Sequence, residues 1–306
     1  MKLRGSTRRR GSALPTGRGI ISDSELHRPR VRWTLRLIHG VTLILLLIIG
    51  LGPLLWLAKS SITPTQDTIR TPMSLWPHGF DLGTFARAWS QTHIDRYFLN
   101  TVWIAVGSWF VQILVATTGG YALSVLRPRF ARVLTALVLA TLFVPSIVLL
   151  VPLYLTIVDV PFLHMKLINS FWAVWLPAGA SAFNVLLMKR FFDNLPREVF
   201  EAAQVDGAGP FRLFWSIVVP MSRPIIGVVS VFAVIGQWKD YLWPLLVLPD
   251  PNNQPLSVRL PTLQPTTQLD VFLAALAIAT LIPIVLFLVF QRMFLKGGDL
   301  SGAVKG

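Results

Sequence analysis

Cysteine is absent from the 306 residues, which excludes a disulfide framework, a thiolate nucleophile and any cysteine-based metal site. Charge is sparse, at 14% of residues, against about 25% in an average soluble domain. Acidic residues are the scarcer sign, 14 Asp and Glu against 28 Lys and Arg. The five histidines are His27, His39, His78, His93 and His164, and only His39 falls inside a long apolar run. No His-Glu-x-x-His pattern and no carboxylate pair lies within such a run, so a membrane-embedded enzyme would lack the converging groups it needs. A Gly-x-x-x-x-Gly-Lys-Ser/Thr phosphate loop is also missing, and any nucleoside triphosphate must be hydrolysed elsewhere.

Apolar residues fill the space that charge leaves, at 53% of the chain, more than the interior of a soluble domain this size can hold. The bilayer is the solvent this composition requires. A net charge of +14 would suggest nucleic acid in a soluble protein, but the basic residues crowd beside apolar runs and are not interleaved with stacking aromatics. A spanning helix needs roughly 20 apolar residues. The sequence predicts an all-α, polytopic membrane protein with six such helices, at about 37–58, 101–126, 133–158, 167–190, 224–248 and 270–294. They form one domain, 37–295, between a basic N-terminal tail, 1–36, and a C-terminal tail, 296–306.

Orientation follows from Lys and Arg near the helix ends. The tail before the first span carries ten of them, from Lys2 to Arg36. Taken alternately, the same side also receives Arg127, Arg129 and Arg132, then Lys189, Arg190, Arg197, Arg212 and Arg223, then Arg292, Lys296 and Lys305. Only Lys59, Arg70, Arg87, Arg96, Lys166 and Arg259 fall opposite. Both termini and the loop at 193–222 are therefore expected in the cytoplasm, in a bacterial-type inner membrane. The first apolar run is too long for a cleavable signal, with no clear cleavage site after Leu57.

Prolines 53, 145, 152, 177, 244 and 283 interrupt the spans, each removing a backbone donor. Lys239 beside Asp240 is the one charged interruption of a span, costing roughly 2.5–3.5 kcal/mol per charge at mid-membrane unless paired or facing a polar cavity. Whether the two satisfy each other and nearby carbonyls, or face a polar path with Trp238, is open at this stage. Trp243 reads more readily as an interfacial anchor than as a sugar-stacking platform, and the pair Gly119-Gly120 as a close helix contact.

The loop at 193–222 reads as two helices and a turn. Pro196 suits a first helical position, Glu198 complements the positive helix end, and Gly207 can take the left-handed conformation that closes a helix. Val199, Phe200, Ala202 and Ala203 give this helix an apolar side while Glu201 and Asp206 stay polar. Pro210 restarts a second helix, in which Phe211, Phe214, Trp215 and Val218 keep helical spacing up to Pro220.

These residues carry a resemblance. Glu201-Ala202-Ala203, then Gly207, Ile217, Val219 and Pro220, match the EAA loop of ABC importer permeases of the binding-protein-dependent type I class, with Val219 where leucine is usual. Phe191-Phe192, Leu195 to Glu198, the segment from Trp238 to Leu245, and the tail from Ser301 to Gly306 are similar to the carbohydrate branch represented by the MalG subunit of maltose transporters. There the resemblance implies that Glu201, Ala202, Ala203, Asp206, Gly207, Ala208, Ile217 and Pro220 couple to a separate ATPase. It implies that Trp238, Lys239 and Asp240 border the translocation path and that Gly302 and Lys305 reach the ATPase. The implied assembly is a second permease, two ATPase subunits holding ATP and magnesium, and an extracytoplasmic binding protein, with no cofactor on this chain and no nucleic acid. The implied cargo is a sugar or sugar-like solute; since the branch usually has asparagine at Lys239, a phosphorylated or anionic solute such as a glycerophosphodiester is the alternative. A polytopic membrane enzyme is the remote one.

Overall fold

The computed structural model describes residues 29–77 and 79–299. The basic tail up to residue 28, Gly302 and Lys305 lie outside the described residues. Among those described, the regular structure is all helical, with one isolated antiparallel bridge between Val160 and Met165. The chain divides into two compact units at Trp56 and Leu57. The first contributes most of α1, Pro29–Ser60, a 32-residue apolar helix.

The second unit is built around α4, Ile94–Leu126, whose last turn, Ala122–Leu126, widens to a π-helix. The short helices α2, Thr65–Arg70, and α3, Gly83–Gln91, precede it. After it come α5, Ala131–Thr141; α6, Ser146–Val158; α7, Trp172–Gly179; and α8, Ala182–Asp193. Then follow α9, Arg197–Val205; α10, Pro210–Met221; α11, Arg223–Lys239; α12, Leu242–Val247; α13, Leu256–Leu263; and α14, Leu269–Asp299. α4 packs along α7, α8 and α11, and α14 packs on α3 and α11.

Close approach to α4 depends on glycine. A Cβ at Gly120 would stand 2.9 Å from the Lys189 backbone nitrogen, and one at Gly107 would overlap the indole of Trp175. Gly119-Gly120 is thus a helix contact, with Val185 and Met188 of α8 against it.

Three expected spans are broken in the backbone, two of them where hydropathy showed no interruption and one at the charged pair Lys239-Asp240. The run at 133–158 is two helices meeting at 106°, because Pro145 has no N–H and pushes Val144 off helical geometry. The run at 167–190 breaks at Ala180, and Ser181 restarts it as an N-cap that accepts from the Asn184 N–H at 3.4 Å. The run at 224–248 stops at Asp240, whose backbone is extended. Conversely, α4 begins at Ile94, seven residues ahead of the expected start, since Asp95 and Arg96 in its first turn mask its helical continuity. Among the described residues, α1 and α4 alone are long and apolar enough to cross a membrane unaided, and two bent pairs reach that length only together.

Two carbonyls that prolines leave without a helical donor are taken up by tryptophan. Pro177 leaves the carbonyl of Ala173, four residues back, without its helical partner, and Trp243 Nε1 donates to that oxygen at 2.9 Å. Pro283 does the same to Ala279, and Trp238 Nε1 donates there at 3.3 Å. Trp243 is therefore no interfacial anchor: it is 8% exposed, in a core cluster with Ala173, Val174 and Val247.

Candidate functional site

The loop between α8 and α11 is built from the backbone outward. Pro196, expected as the first helical residue, is instead the N-cap of α9, which starts one position later at Arg197, and Glu198 lies in the first turn. At the other end Gly207 has φ +77°, a conformation that costs a side chain roughly 1–2 kcal/mol. The Ala208 N–H donates to Ala203 C=O at 2.9 Å and the Gly207 N–H to Gln204 C=O at 3.0 Å. These two bonds form the glycine-closed Schellman end that sequence spacing predicts. Pro210 then occupies the first turn of α10, which passes through a π-turn at Phe214–Val218.

The paired alanines face different ways. Ala203 is buried among Phe192, Leu213, Phe214 and Val218, and Ala208, Ile217 and Val219 pack partly against the same cluster. Glu201, Ala202, Asp206 and Gly207 are exposed, as is Val205 at 88%. Ala203, with Phe200 packed partly against the same cluster, seats the helix on its own chain, and the opposite face is open. Pro220 is half-buried at the end of α10, which meets α11 at 78°, so the link to the expected fifth span is a bent joint at Ser222 and not a straight lever.

Four contacts gather on this loop, from α4, the turn after it and α8. Tyr121 Oη donates to Pro210 C=O at 2.8 Å. Asp193, the last residue of α8, accepts from Ser124 Oγ and Lys189 Nζ, each at 2.7 Å, and Arg127 stands 3.6 Å away. Burial pushes the Asp193 carboxyl up, but those donors outweigh it and hold it below the ordinary carboxylate range. None of these residues was singled out from sequence; the spacing of Lys189 and Asp193, i and i+4, was the one available signal.

Trp238, Lys239 and Asp240 are not brought together. Trp238 is buried, edge-on to Phe98 at 5.8 Å between centroids. The Asp240 carboxylate faces the backbone N–H groups of Trp243 and Tyr241 at the start of α12, and its carbonyl accepts from Ser257 Oγ at 2.6 Å. With Gln237, Ser146 and Trp243 it borders a cavity of about 390 Å³. Lys239 is exposed, does not line that cavity, and pairs with no carboxylate among the described residues. Deeper along α4, Asn184 Nδ2 donates to Gln112 Oε1 at 2.8 Å and Ser108 Oγ to Gln237 Oε1 at 3.3 Å.

Comparison with known proteins returns a single theme. Residues 112–297 match the family model described as binding-protein-dependent transport system inner membrane component. The diacetylchitobiose uptake system permease protein NgcG of Streptomyces coelicolor is 30% identical over 261 residues, 83% of this chain and 84% of that one. The sn-glycerol-3-phosphate transport system permease protein UgpE of Agrobacterium fabrum is 29% identical, covering 86% and 95%. A bacterial ABC transporter involved in import of the acidic polysaccharide alginate superposes with a TM-score of 0.74 at 21% identity, over 86% of this chain and 97% of its counterpart.

Proposed function

The chain belongs to the family of binding-protein-dependent transport system inner membrane components, the permease subunits of sugar ABC importers, and from that premise we propose that it forms half of a translocation path with a second permease. Two ATPase subunits, holding ATP and magnesium, engage its loop at 193–222, and an extracytoplasmic binding protein delivers the solute. It crosses the inner membrane six times with both termini in the cytoplasm. The observation that carries this reading is the open face of α9: Glu201, Ala202, Val205 and Asp206 point outward from a helix closed rigidly at Gly207. A short helix with one free, mixed face is suited to docking in a groove, and its attachment through Ala203 and Tyr121 passes motion inward.

The solute is a sugar or sugar-like molecule, a reading supported by the oligosaccharide-related names among the relatives. A phosphorylated or anionic solute is the second reading, favoured by Lys239, a cation in a predicted span with no carboxylate partner among the described residues.

Mild-detergent purification of the tagged chain from its host, with mass spectrometry of what accompanies it, tests the assembly. Wild type is expected to bring an ATPase, a second permease and a binding protein; Gly207→Asp is expected to lose the ATPase while keeping the second permease. A chain that comes alone, or with unrelated enzymes, removes the proposal. Uptake assays on solutes bound by the captured binding protein then decide the cargo, and unchanged uptake of neutral sugars only in Lys239→Asn rejects the anionic reading.

A further inference from the structure

At the end of α4 that carries Tyr121, a cavity of about 800 Å³ opens between the turn at 127–130, α5 and the end of α8. Four cations line it, Arg127, Arg129, Arg132 and Lys189, against the single carboxylate of Asp193. That carboxylate is already committed to Lys189 and Arg127. Arg129 and Arg132 have no ion pair among the described residues, so the cavity keeps a positive surplus. The first turn of α5 adds its positive dipole end and contains no acidic residue.

Apart from Thr135, whose hydroxyl donates to the Ala131 carbonyl at 2.7 Å, the rest of the wall is apolar, with Leu123, Ala136 and Leu139 lining it. It continues along the same face of α5 to Leu139, which is 47% exposed. A cationic mouth above an apolar slide matches a molecule with a phosphate at one end and hydrocarbon at the other. A soluble anion would have no use for the apolar wall. An acidic segment of a protein partner would leave that wall unsatisfied. Basic pockets between helices at the cytoplasmic boundary recognise anionic lipid headgroups by this chemistry.

We propose that this cavity seats the phosphate headgroup of an anionic phospholipid of the cytoplasmic leaflet, with its acyl chains lying along α5. The inference rests on the spanning orientation given above.

Native mass spectrometry of the full chain in mild detergent, titrated with phosphatidylglycerol or phosphatidylcholine, is the test. Phosphatidylglycerol is expected to bind preferentially, and R129Q/R132Q to weaken it by roughly 20-fold, about fivefold for each arginine near the surface. R129K/R132K, which keeps the charge, is expected to retain most of the binding, and an unchanged thermal melt in both variants separates site loss from misfolding. Equal binding of the two lipids, or equal binding by wild type and R129Q/R132Q, overturns the proposal. Displacement of the lipid by millimolar inorganic phosphate would assign the site to a free anion, and cross-linking of position 129 to an ATPase subunit without bound lipid would assign it to a protein; each also overturns it. Because the chain has no cysteine, Arg129→Cys reports sidedness independently. Labelling of that residue from outside the cell defeats the orientation, whereas labelling from inside without lipid preference defeats this inference alone.

Discussion

One carboxylate, that of Asp193, collects three donors from two helices and the turn that follows α4. Its pKa is depressed despite burial, so its stabilising contribution is present above the unfolded value of about 3.9 and is lost as pH falls through the lower folded value. Asp193→Asn is therefore expected to lower the melting temperature of the solubilised chain at pH 7, with the deficit closing below about pH 4. A deficit independent of pH would mean that shape and not charge matters at this position. The spacing from Lys189 was legible in sequence, whereas Ser124 lies 69 positions away and Tyr121 lies 89 positions from its acceptor Pro210. Local spacing carries no information about such partners. Gly207 was legible for the opposite reason, since a left-handed helix end is a local demand on one residue.

At the scale of elements, the prolines mark where helices yield and the tryptophans show how the damage is contained. Trp243→Phe is expected to destabilise the chain by about 0.5–1.5 kcal/mol, the range of interhelical hydrogen bonds in membranes. In a Pro177→Ala background, where residue 177 regains its N–H, the same substitution should cost measurably less. A double-mutant cycle by thermal unfolding reads this directly, and equal costs in both backgrounds would show that the Ala173 carbonyl is not what holds the indole. Trp238 and Pro283 provide an independent repeat. The breaks at residues 142–145 and 180–181 were hidden from a hydropathy reading, because apolar runs look continuous whether the backbone within them is helical or not, whereas the break at 240 falls on the charged pair that interrupts its run. Prolines flagged the places, but which carbonyl finds a new donor depends on a helix from elsewhere in the chain.

For the molecule as a whole, the all-α architecture was legible from composition and run length, while the distribution of Lys and Arg sets an expected sidedness that is still to be measured. Single-cysteine variants at exposed positions give this a background-free check. Thr266→Cys is expected to react with an impermeant maleimide on intact cells, and Gln204→Cys only after permeabilisation. The reverse pattern would invert the topology and with it the proposed placement of α9. The Trp238, Lys239 and Asp240 grouping was the least legible part: neighbours in sequence at a helix end diverge into a core, open surroundings and a cap, and only the backbone break at Asp240 separates them.

α4 is fastened at both extremities. Tyr121 holds Pro210 at one end; roughly 30 Å away, Asn100 Nδ2 holds the carbonyls of Asn252 and Gln254 at 2.7 and 3.0 Å, and Thr101 Oγ1 accepts from the Leu256 N–H. A single rod gripped by two opposite loops cannot act as a one-way messenger. If a ligand on one loop changes the affinity at the other by some factor through this rod, the ligand on the other loop changes the first one's affinity by the same factor. A protein docked at 250–256 and one docked on α9 would thus each read the other's presence in their own binding constant, before any solute has moved.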